Sequence, residues 1–165
     1  MNISAVSYLS EDILEFIIKK LEAEINNKDI SVLMRIHSYL TLKRLYKSNK
    51  TYEYLFKNII NRPLILSGYM LDNIELSNQD LRGIQFSHSS MKGAILKNCN
   101  LTDVNLEYCD LENANLNDSN LKNANLTGAN LTGASFSNVN FNNTNVKNIV
   151  LDDVNLKENE IKSNL

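Results

Sequence analysis

The sequence predicts an α+β protein in two parts: a small helical domain over residues 1–62, followed by a β-solenoid over 63–165 whose repeating unit is five residues. Three observations predict it. Apolar residues recur at helical spacing before residue 60, every fifth residue from Leu66 to Ile161 is apolar, and the only proline, Pro63, stands between the two patterns. Proline restricts the residue before it and cannot continue a helix, so the domain boundary falls there. With 165 residues, 43% hydrophobic and 22% charged, the composition fits one or two ordinary small domains.

The first helix is read from Ile13, Leu14, Ile17, Ile18 and Leu21, which form one helical face. Ser10 supplies a cap, and Glu11 and Asp12 complement the positive end of the helix dipole. A second helix starts near Asp29, runs through Ile30, Leu33, Met34, Ile36 and Leu40, and ends among Lys43, Arg44 and Lys47. A shorter third one holds Tyr52, Leu55, Phe56 and Ile59.

A period of five matches neither the 3.6 of a helix nor the 2.0 of a strand. A chain that turns a right-angled corner every five residues does put each central residue inside, and four such quintets close a square coil. The register Leu66, Leu71, Leu76 and onward through Leu151, Leu156 and Ile161 gives twenty central residues, all apolar. Two places before each, from Ile84 and Ser89 through Ala134, Val139 and Val154, stands a small or apolar residue that forms a second inward set. Two places after each, sixteen of the twenty are Gly, Asn or Asp, the residues that tolerate the positive φ of a tight corner.

The quintets Ala124-Asn125-Leu126-Thr127-Gly128 and Ala129-Asn130-Leu131-Thr132-Gly133 resemble the A-(D/N)-L-x-x unit of pentapeptide-repeat proteins. The resemblance extends from Leu64 to Leu165 and implies a right-handed quadrilateral β-helix of about five coils. At about 4.8 Å per coil the solenoid would be about 24 Å long. Each coil would bury its central residues against its neighbours, spreading stability along the axis.

Little in the chain points to chemistry. The two histidines, His37 and His88, and the two cysteines, Cys99 and Cys109, make no metal-ligand cluster, and no phosphate loop or nucleophile elbow occurs. The expectation is a non-enzyme without cofactor or metal. Cys99 and Cys109 both take the small inward position two quintets apart, on opposite sides of the square, and read as buried free thiols. Nothing resembles an export signal or a membrane span, so the expected location is the cytoplasm, a host cytoplasm for a viral or bacterial effector, or the nucleus. Asn100-Leu101-Thr102, Asn125-Leu126-Thr127 and Asn130-Leu131-Thr132 match the glycosylation acceptor pattern but read as by-products of the repeat. Tyr108, an aromatic at a corner, reads as an accident of the surface.

The N-terminal domain carries a second resemblance. Leu9-Ser10-Glu11-Asp12-Ile13-Leu14-Glu15-Phe16-Ile17 is similar to the opening of an F-box, with Ser10 where that family has proline. Asp29-Ile30-Ser31-Val32-Leu33-Met34-Arg35-Ile36 is similar to its next helix, and Thr51 to Phe56 takes the place of its end. The resemblance implies a substrate receptor of a cullin-based ubiquitin ligase. Leu9, Ser10, Ile13, Leu14, Ile17, Ile30, Leu33 and Ile36 would divide between the motif's own core and the groove of the ligase adaptor, with Glu11, Asp12 and Arg35 at the rim. The solenoid would hold an unknown protein substrate.

Two rivals come from other classes. The helices could simply cap the first coil of a scaffold or dimer module, shielding its edge. The charges Lys157, Glu158, Glu160 and Lys162 on the last coil discourage end-to-end pairing, so a monomer is expected and an end-to-end homodimer is the alternative. Some pentapeptide-repeat proteins instead imitate DNA and bind topoisomerases. Duplex of about 24 Å would show about fourteen negative charges. From Leu64 onward seven basic and twelve acidic residues leave −5, including a patch at Asp103, Glu107, Asp110, Glu112 and Asp118. Direct nucleic-acid binding is disfavoured by the net charge of −2 and the lack of a basic stripe.

Overall fold

A computed structural model describes residues 11–26, 31–48 and 63–152. The chain divides into two compact units, Met1–Leu64 and Ile65–Leu165.

The first unit contains α1 (Glu11–Asn26) and α2 (Val32–Ser48), which pack against each other. The third expected helix, over Tyr52 to Ile59, lies outside the described residues. The start of α2 differs from the expectation near Asp29, because Ser31 supplies the cap: its hydroxyl accepts the N–H of Met34 at 3.3 Å and its carbonyl accepts that of Arg35. The buried set also differs. Ile36, Tyr39, Leu40, Leu42 and Leu45 are buried, whereas Leu33 and Met34, apolar residues of the same helix, are exposed. On α1 Ile18 is buried and Ile17 only half-buried. Two polar bonds tie the helices together, from Arg35 Nε to the Ile25 carbonyl at 2.8 Å and from the Ser38 hydroxyl to Glu24 Oε2 at 2.6 Å. The first satisfies one of the carbonyls that the end of α1 leaves without a helical partner.

The second unit is a coil of twenty residues per turn. Parallel bridges pair residues twenty apart without a break, from Ile65 with Gln85 to Asn130 with Val150. Each quintet contributes one corner, and every corner residue from Gly68 to Asn148 has positive φ. The corner closes as a four-residue turn in which, for example, the Cys109 N–H donates to the Leu106 carbonyl at 3.1 Å. Positive φ at the third residue of such a turn is the type II signature. Four of every five residues are thus drawn into the turn, which leaves a single bridging residue on each side. The expected β-helix is therefore built from isolated bridges rather than strands.

Leu106 to Asp110 shows where the backbone donors go. The N–H groups of Leu106, Tyr108 and Asp110 donate to carbonyls of adjacent coils, and that of Cys109 closes the turn. The fifth, on Glu107, donates to the side chain of Asn105 at 3.0 Å. The same bond recurs from Thr102 to Asn100, Asn117 to Asn115, Thr127 to Asn125 and Thr132 to Asn130. An Asn or Asp before the central residue therefore satisfies the one backbone donor per quintet that stacking leaves over. Where that residue is Ser, a neighbouring coil substitutes: Lys92 N–H donates to Asp72 and Ser137 N–H to Asn117.

The interior follows the two inward sets. Central residues from Leu66 to Val146 are all buried, as are the small inward residues from Ile84 to Ala134. Hydroxyls and thiols in the small set share one bond, donating to the central carbonyl 23 residues back: Ser89 to Leu66, Cys99 to Leu76, Cys109 to Phe86, Ser119 to Leu96 and Thr144 to Leu121. Among the described residues no buried side-chain polar atom lacks a partner.

Candidate interaction surfaces

Of the residues expected to meet a ligase adaptor, Leu9, Ser10 and Ile30 lie outside the described residues. Ile13 and Leu14 fall on α1, though their side chains are outside the described set. Ile36 belongs to the buried interior of the helical unit, and Leu33 is 54% exposed. Arg35 is not at a rim: it is 8% exposed, with its guanidinium turned to the end of α1. The helices also expose Phe16 and Met34. Phe16 lies nine residues before Ile25, so about 13 Å of helix separates it from the end of α1 that meets α2 at Arg35.

The acidic patch on the solenoid is largely tied up. Lys92 reaches Asp110 at 3.1 Å and Glu112 at 2.7 Å, Lys97 lies 3.9 Å from Asp118, and Asn123 donates to Asp103. The two carboxylates on Lys92 push its ammonium above the ordinary lysine range. A face that imitates duplex DNA needs these acids free of cations.

Cys99 and Cys109 are buried and unbridged. Burial pushes both thiols up to about 11, so neither is a nucleophile near neutrality. Among the described residues no group of three or more His, Cys, Asp and Glu could hold a metal, and no helix is long and apolar enough to cross a membrane. The glycosylation-like triplets have a local use, since Asn100, Asn125 and Asn130 each accept both the N–H and the hydroxyl of the Thr two places on.

Tyr108 is not an isolated surface residue. Its ring stacks on that of His88, one coil earlier at the same corner, with centroids 5.2 Å apart and planes 18° apart. On its other side the ring covers Gly128, where any Cβ would collide with it. The signal was the spacing of twenty, which places Gly68, His88, Tyr108 and Gly128 in one column.

A four-cornered coil whose bridging and corner side chains project outward, around two inward buried sets, defines a class, the β-solenoid. Residues 89–164 match the family model described as a pentapeptide repeat region, so the solenoid over these residues is a pentapeptide-repeat region. Among solved structures, the chain is similar to a pentapeptide repeat protein from the thylakoid lumen of Arabidopsis thaliana, at 25% identity and a TM-score of 0.53, over 55% of this chain and 63% of that one. It is also similar in fold to HetL, a pentapeptide repeat protein involved in heterocyst differentiation regulation from the cyanobacterium Nostoc sp. strain PCC 7120, at 24% identity and a TM-score of 0.51, over 56% of this chain and 45% of that one. The chain thus spans less than two thirds of either. No curated protein matches it.

Proposed function

We propose that this chain is a non-enzymatic adaptor whose solenoid holds a partner protein and whose N-terminal helices dock it on the adaptor subunit of a cullin-based ubiquitin ligase. The solenoid is read as a right-handed quadrilateral coil of about five turns, as its family resemblance implies. The observation that carries the docking reading is the exposure of Leu33 at the start of α2, with Met34 beside it. Neither contributes to the buried interior, and Leu33 occupies a position that the F-box resemblance assigns to adaptor contact. Apolar anchors on a helix are the usual source of affinity in a helix-in-groove complex. Catalysis would then belong to the partner enzymes, and the chain would work as a monomer in the cytoplasm or nucleus.

The test is a pull-down of the purified chain with a eukaryotic adaptor–cullin pair. Stoichiometric binding is expected for the wild type, with loss in Leu9→Ala/Ile13→Ala and in Leu33→Ala/Met34→Ala variants whose circular dichroism is unchanged. No binding by folded wild type would reduce the helices to a cap. A topoisomerase would be the next partner to assay in that case, although the cations on Asp110, Glu112 and Asp118 weigh against DNA mimicry.

A further inference from the structure

The geometry points to a recognition slot for an aromatic side chain of a partner protein, at the Gly68 corner of the solenoid and on the open face of His88. This inference rests on the protein-binding reading of the solenoid.

Corner side chains lean over the next coil. Tyr108 lies over Gly128, Asn113 over Gly133 and Asn73 over Gly93. His88 likewise faces Tyr108. His88 is exposed, and its opposite face looks back toward the coil of Gly68, where among the described residues no side chain covers it and a Cβ would meet nothing within 4 Å. The column therefore ends in an uncovered ring above a one-residue gap. Stacked rings elsewhere in the column are one coil apart, about the distance at which offset aromatic rings attract. A planar group entering the gap would extend the stack by one.

The walls of the gap select the group. Ile65 and Met70 flank Gly68 in sequence and are 60% and 76% exposed. Met70 adds a thioether suited to an aromatic edge. Among the described residues the nearest neighbours are uncharged: Gln85 bridges Ile65, Ser90 bridges Met70, and the hydroxyls of Ser67 and Ser87 bond each other at 2.8 Å. Asp72 accepts from the Ser90 hydroxyl and the Lys92 N–H, and Lys92 is held by Asp110 and Glu112. Asp72 thus keeps its charge at the edge of the surround, whereas among the described residues a nucleotide would find no free cation for its phosphate. A neutral aromatic ring fits.

Three residues on or beside this column depart from the commonest residues of the repeat. Ile65 and Met70 stand where Asn or Asp would satisfy a backbone donor. Tyr108 holds φ of 53°, where Gly or Asn sits without strain and a bulky aromatic does not.

The chain contains no tryptophan and only two histidines, so N-acetyl-tryptophanamide is a clean probe and proton NMR a clean readout. Titrating it into the 165-residue chain is expected to move the ring protons of His88 upfield in a saturable way, while those of exposed His37 on α2 stay fixed. Gly68→Asn keeps a residue suited to positive φ but fills the gap, and His88→Asn removes the platform. Both variants use the commonest corner residue of this solenoid, and both are expected to lose the effect. A His88 resonance that does not move in the wild type overturns the inference. So does a shift of Tyr108 that persists in Gly68→Asn, or a larger displacement by adenosine or N-acetyl-argininamide. The probe needs no adaptor, and Gly68→Asn should still pull down the ligase adaptor, so failure at this slot and failure of the docking reading are separable.

Discussion

The two cysteines show how one atom's surroundings set its behaviour. Both thiols donate to a backbone carbonyl and titrate near 11, against an ordinary value near 9. A raised pKa means that the fold favours the protonated thiol, so this contribution is complete below about pH 9 and is lost as pH rises through about 11. Stability measured by urea unfolding should therefore fall between those values in the wild type and fall less in Cys99→Ser/Cys109→Ser. Serine suits the site, as Ser119 makes the same bond to Leu96. A thiol reagent at pH 8 should label neither cysteine until the chain unfolds. Asn125 illustrates the outward counterpart: Asn125→Ala strips the acceptor from the N–H and hydroxyl of Thr127 and should cost about 1 kcal/mol in chemical denaturation.

At the scale of one coil, the central residue dominates. Leu106 is fully buried between coils, and Leu106→Ala should cost about 2–5 kcal/mol, because a rigid hydrogen-bonded frame cannot collapse into the cavity. Each coil contacts only its neighbours, so hydrogen exchange should speed up most in the coils next to residue 106 and least at the far coils. Corners obey backbone rather than packing rules. Asn123→Val forces a β-branched residue to φ near 58° and should lower stability by about 1–3 kcal/mol although the site is exposed. The helices behave differently, since their burial depends on contacts remote in sequence. Leu33 and Ile36 look alike in the apolar pattern, yet one is exposed and the other buried.

At the scale of the molecule, the proposed reading gives one partner to the solenoid and another to the helical unit. The expected monomer can be checked by sedimentation equilibrium, where a mass near 18.8 kDa is predicted and twice that value would show a dimer. The sequence by itself determined the solenoid, because a period of five is a local code: each quintet states its inward residue, its corner and its backbone acceptor within five positions. It also determined that the cysteines are buried in the small inward positions. Only the tertiary structure decided what depends on neighbours twenty residues away or on helix packing. The stacking of His88 on Tyr108, the open face above Gly68, the capture of the acidic patch by Lys92 and Lys97, and the burial of Arg35 all arise between coils or between helices. The physical reason is the same in each case: linear spacing fixes which way a side chain points, and only the packed fold fixes what it meets.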